Sequence, residues 1–179
     1  MKCFLVGCLV GTAASSASGD LVGSFSVGTG SSTSFVQFEF ANSNTYLYEV
    51  RYDGAIFGED LFAIIASAQP GYFSYQVQSF SFGDALFGVT IGADSNAGFG
   101  TPPAYLDYWH YWVRANESAA WTESFVGFSD RAVSDGSWDG WVFESASAPA
   151  AVPAPGVAAL LVFSGAWTGT RRHRGSRIR

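Results

Sequence analysis

The residues best suited to chemistry lie close together, in Tyr105-Leu106-Asp107-Tyr108-Trp109-His110-Tyr111-Trp112, and are joined later by Trp138 and Trp141. Trp and Tyr carry wide ring faces with a polar edge, the combination that stacks on a sugar or another flat ligand. Trp109, Trp112, Trp138 and Trp141 are therefore the candidate ligand-stacking residues. The same ring types also build cores and sheet surfaces, which is the simpler use of them.

Catalytic chemistry has less to work with. His110 is the one histidine between residues 20 and 144, and no cysteine or Gly-x-Ser-x-Gly setting accompanies it, so a Ser-His-Asp or Cys-His arrangement lacks its parts. Asp107, Glu123, Asp130, Asp135 and Asp139 lie near aromatic residues and could supply the carboxylate pair of a glycoside hydrolase. With 15 acidic residues in the chain, some such proximity arises by chance. Gly98-Phe99-Gly100 lacks phosphate-loop spacing, and no His/Cys set suits zinc. Asp130, Asp135 and Asp139 do not follow the calcium-loop pattern. Hence no catalytic residue, metal ligand or cofactor is assigned.

Alternation places these residues on strands. Val36, Phe38 and Phe40 alternate with Gln37 and Glu39, and Tyr46, Tyr48, Val50 and Tyr52 with Leu47, Glu49 and Arg51, which predicts two strands. Ala41-Asn42-Ser43-Asn44 has hairpin length and chemistry, so the two should pair antiparallel. Glu59 and Asp60 suit a first helical turn, Leu61, Ile65 and Ala68 share a face, and Pro70-Gly71 ends the run. Phe73, Tyr75 and Val77 resume strand alternation, whereas Phe80 and Phe82 take the other parity, which calls for a bulge or turn near Ser79. Phe87, Val89 and Ile91 form another strand, followed by a turn-rich loop from Gly92 to Pro103. A strand through the aromatic stretch sets Trp109, Tyr111 and Val113 against Tyr108, His110 and Trp112 on opposite faces. Asp135-Gly136 and Asp139-Gly140 both suggest tight turns. The expected fold is α+β and mostly β, an antiparallel sheet with one short helix in a domain over residues 35–144. A Gly/Ser/Thr-rich lead-in or edge strand precedes it over 20–34, and an Ala/Pro/Ser linker follows over 145–152.

Both ends read as targeting segments. Met1-Lys2, the apolar Cys3 to Val10 and the small residues Ala14 to Ser18 fit a secretory signal peptide over residues 1–19. Leu5-Val6-Gly7-Cys8 also fits a lipobox, although only seven residues precede Cys8. At the other end, Pro153 and Pro155 keep a helix from propagating backwards. Gly156 to Thr170 then gives 15 residues, about 22 Å of helix against roughly 30 Å of hydrocarbon. The arginines beyond it, Arg171, Arg172 and Arg174 among them, can snorkel and hold the end in the cytoplasm.

Val152-Pro153-Ala154-Pro155-Gly156, followed by Val157-Ala158-Ala159-Leu160-Leu161 and the arginines, resembles the PEP-CTERM sorting signal, with Ala154 in place of the central Glu. The likeness spans Val152 to Arg174 and covers the motif Pro153, Ala154, Pro155 and Gly156. It implies export, transient membrane anchoring through a transmembrane sorting helix, processing by an exosortase and a final place at the cell surface or in the extracellular matrix. From Tyr46 to Phe143, the order of strands, helix, Trp109-His110-Tyr111-Trp112 and Asp135-Gly136 also resembles domains related to the C-terminal domain of transcobalamin. That likeness implies a helix packed on antiparallel strands and, in one branch of the family, corrinoid binding. It assigns no ligand residue here.

Charge sharpens the choice of partners. Fifteen acidic residues against Arg51, Arg114 and Arg131 leave residues 20–144 at −12, and both cysteines fall in the signal region. Such a body needs no disulfide and is a poor match for nucleic acid, whose binding relies on Lys and Arg. The expected partners are the secretion machinery and an exosortase, with extracellular polysaccharide or a corrinoid-like small molecule as the ligands of an alternative, binding-module reading. The leading expectation is a secreted structural or interaction protein without catalysis.

Overall fold

The computed structural model describes residues 19–80 and 83–152. The expected signal peptide apart from Gly19, Phe82, and the expected sorting motif, transmembrane helix and arginine tail over 153–179 lie outside the described residues.

The expected hairpin forms from β2 (Ser32–Glu39) and β3 (Asn44–Tyr52), which pair antiparallel with Val36 opposite Tyr48 and Phe38 opposite Tyr46. Ser43 takes φ +67° at its tip, a conformation the Asn/Ser-rich loop chemistry favours. The expected helix is α1 (Gly58–Ala68). Its first turn is fixed by the Asp60 carboxylate, which accepts from the Phe57 amide at 2.8 Å. Leu61, Phe62 and Ile65 form its buried face.

The sheet is mixed, which corrects the antiparallel expectation. Its order is β1 (Asp20–Gly28), β3, β2, β9 (Trp138–Phe143), β7 (Trp109–Arg114), β8 (Thr122–Glu123), with β1 parallel to β3 and β9 parallel to β2. Of the two readings of the Gly/Ser-rich lead-in, the edge strand is the one found, because Phe25 and Val27 alternate inward and Phe25 stacks on Tyr48 at 5.0 Å. Asp139-Gly140 is no turn: it lies inside β9, all six of whose residues are buried. Gly140 is there for close approach, since a Cβ on it would stand 2.5 Å from Pro149 and 2.9 Å from Trp121. Asp135-Gly136 does turn, with Gly136 at φ +77°.

A second, antiparallel sheet holds β4 (Phe73–Phe80), β5 (Gly83–Ile91) and β6 (Asp94–Ala97). Of the bulge or turn expected near Ser79, the chain reversal follows at once, with Phe80 paired to Gly83, while a register shift falls earlier, between Gln76 and Val77; the loop expected after Gly92 contains β6. This sheet and α1 cover the inner face of the large one. Phe62 is the hub, with ring centroids 5.3 Å from Phe38, 5.2 Å from Phe128 and 5.6 Å from Trp141.

The outer face of the large sheet is covered too. Trp138 stacks on Phe35 at 4.5 Å, and the Arg114 guanidinium sits between Trp138 and Trp121, 4.0 and 4.4 Å from their centroids. The segment read as a linker contributes to this cover: Pro149 is buried, Gln37 donates to the Ala150 carbonyl at 2.8 Å, and the Ala150 amide donates to Glu39 at 3.0 Å. Among the described residues no helix is long and apolar enough to cross a membrane.

Candidate functional site

Strand alternation divides the four singled-out indoles. Trp109 and Trp141 point to the inner face, whereas Trp112 pairs in register with Gly140 and Trp138 with Arg114 on the outer face. Trp109, Trp138 and Trp141 are 4%, 1% and 3% exposed, so none offers a free ring face to solvent. Trp109 donates to the Asn96 carbonyl at 3.3 Å, while Trp112, Trp138 and Trp141 keep buried Nε1 atoms without a partner.

Trp109 and Trp141 do share one cavity, of about 440 Å³, between β5, β7, β9 and the loop 124–128. This lies within the roughly 300–1,000 Å³ common for small-ligand sites. Tyr111 and Trp141 stack in its wall at 4.1 Å and 8°, and Phe128 meets Trp141 edge-on at 5.6 Å. Asp84 is its one acidic lining residue, while Phe125 and Val126 stand at the mouth, 93% and 54% exposed. A larger cleft of about 710 Å³ beside α1 is more open and mixes Asp53, Asp60 and Arg51 with small side chains, so it encloses less.

Sequence reasoning missed Asp84, Phe125 and Val126. The available clue was an apolar Phe-Val pair between Thr122-Glu123-Ser124 and Ser129-Asp130, too short for an element and costly to expose.

The remaining titratable candidates are engaged in the fold. His110 is buried and stacks on Tyr108 at 3.9 Å, and desolvation holds its pKa below the ordinary value against the raising effects of Glu123 and the Leu106 backbone. Asp107 accepts from the Thr101 amide and hydroxyl, and Asp135 accepts from the Thr33 amide at 2.7 Å. Asp139 is buried beneath the sheet, where its Oδ1 meets Arg131 Nε at 3.0 Å and accepts from the Tyr111 hydroxyl at 2.5 Å. Among the described residues no group of three or more His, Cys, Asp and Glu side chains could hold a metal ion.

No protein-family model matches the chain, and no curated protein matches it.

Proposed function

We propose that the chain is an exported protein of the cell surface or extracellular matrix, processed at its C-terminus by an exosortase, whose body is a structural or interaction domain without catalysis. The observation that carries this reading is the succession of sequence blocks in the tail: Pro153-Ala154-Pro155-Gly156, an apolar run to Trp167, then Arg171, Arg172 and Arg174. The body is compatible with that role. Among the described residues the last one hydrogen-bonded to the sheet is Ala150, which Ala151 and Val152 alone separate from Pro153 in sequence. Gly19, at the other end, lies beside Ala150: a Cβ built on it would stand 3.4 Å from the Ala150 Cβ. Signal cleavage and tail processing would thus act at neighbouring points and leave the body whole.

Intact-mass analysis of membrane and extracellular fractions from the native host tests this, with a variant lacking residues 153–179 for comparison. The expected extracellular species begins near Gly19 and ends, or carries an added group, near Pro155. A membrane-retained chain that keeps Arg171 to Arg179 would make the tail a plain anchor and remove the exosortase from the account.

The cavity beside Trp109 and Trp141 favours a second reading, an extracellular binding module for polysaccharide or a corrinoid-like small molecule. Of the four tryptophans singled out, only these two line it, so ligand quenching of indole fluorescence should survive loss of Trp112.

A further inference from the structure

The cavity joins aromatic walls to an acidic residue, Asp84, that forms no ion pair among the described residues. Asp84 lines it, and Glu59, in the first turn of α1, is near enough that Asp84 adds to the effect of burial in raising its pKa above the ordinary carboxylate range. The body's three arginines are all committed elsewhere: Arg51 to Glu49 at 3.1 Å, Arg131 to Asp139 at 3.0 Å, and Arg114 to the rings of Trp121 and Trp138. Burial and the neighbouring Asp84 both disfavour the ionised form of Glu59, and a cation beside the two acids would relieve this.

The walls decide which cation. A hard metal ion takes six or more oxygen ligands, and this cavity offers ring carbon in their place. An alkylated ammonium is suited to both features, because its charge is attracted to ring faces and to carboxylate while its carbon groups fill apolar space. We propose that this cavity binds an organic ammonium ion, its charge against Asp84 and its apolar groups against Tyr108, Tyr111 and Phe99. Phe125 and Val126, exposed at the mouth, cover the ligand once it is seated. This assignment rests on the binding-module reading and is independent of how the chain is exported.

Choline and its uncharged isostere 3,3-dimethylbutan-1-ol form the decisive pair of probes. They are titrated by calorimetry and indole fluorescence into the full chain held in phosphatidylglycerol nanodiscs, which contain no choline headgroup. Choline should bind about tenfold or more tighter than the isostere, the scale of one charge-assisted contact. Asp84→Asn should erase that preference, Phe125→Ala should weaken both probes several-fold, and Glu117→Gln, remote from the cavity, should change neither. Equal binding of the two probes would overturn the ammonium assignment and leave the binding-module reading standing. Binding of neither would overturn the ammonium assignment, while the binding-module reading stands or falls separately on indole quenching by polysaccharide or a corrinoid. Choline binding that survives Asp84→Asn and Phe125→Ala but falls with Glu117→Gln or added salt would be general attraction to an acidic surface, and would also overturn the assignment.

Discussion

Replacing Arg131 by Met should destabilise the protein strongly at pH 8 and much less at pH 4.5. Asp139 has 2% of its side chain exposed, and its Oδ2 has no partner, so the carboxylate depends on Arg131 Nε and the Tyr111 hydroxyl at Oδ1. Burial is the dominant influence and lifts its pKa from 3.8 to about 6, with Arg131 and Tyr111 pulling the other way. Because the folded value is the higher one, the stability this acid contributes is complete below about pH 3.8 and is lost as pH rises through 6. Two units at 1.36 kcal/mol each put that loss at about 3 kcal/mol. Without the guanidinium, the ionised carboxylate is buried and uncompensated, a situation that typically costs about 3–5 kcal/mol. At pH 4.5 Asp139 is largely neutral and most of the penalty vanishes. The measurement is urea denaturation of parent and Arg131→Met at both pH values, compared pairwise so that titrations common to both proteins cancel. Adding Asp139→Asn should restore much of the loss at pH 8 and flatten its pH dependence. An equal loss at both pH values would refute the ion-pair account and leave packing of the arginine stem as its contribution.

Two further substitutions test the packing. Phe62→Ala removes the ring on which Phe38, Phe128 and Trp141 converge and should cost about 3–5 kcal/mol in the same denaturation assay. Gly140→Ala places a methyl against Pro149 and Trp121, and should cost about 1–3 kcal/mol and speed proteolysis between Glu144 and Val152; unchanged proteolysis would mean that Pro149 is not seated on the sheet.

Local pattern made part of the fold legible. The β2–β3 hairpin and α1 are written in sequence-adjacent terms: strict alternation, a four-residue polar loop, acidic residues at the helix start and Pro-Gly at its end. The parallel pairs are not, because nothing near Trp138 states that it will lie beside Phe35, roughly a hundred residues earlier. β1 was ambiguous because Gly23 leaves a gap on the apolar side of the alternation, leaving Phe25 and Val27 as its only strong inward signals. The cavity was half legible: Trp109 and Trp141 stood out by type, while Asp84 and Phe125 acquire meaning only once β5 and the 124–128 loop meet.

Burial on both sides accounts for the aromatic pattern of β7 and β9. A strand with one solvated face shows polar residues at every second position, and two-sided burial removes that contrast. Here the inner residues Trp109, Tyr111 and Trp141 meet α1, the second sheet and the cavity, whereas the outer residue Trp138 meets Phe35, Arg114 and Trp121. The outer cover is thin, one loop and the short run at Pro149-Ala150, so part of the protection of the central strand comes from the segment just before Pro153. Tail processing that stops after Val152 keeps this cover, whereas a cut before Pro149 would expose Gly140 and Trp121. The fold therefore places the tolerable limit of C-terminal removal between Ala150 and Pro153, where the sequence motif begins.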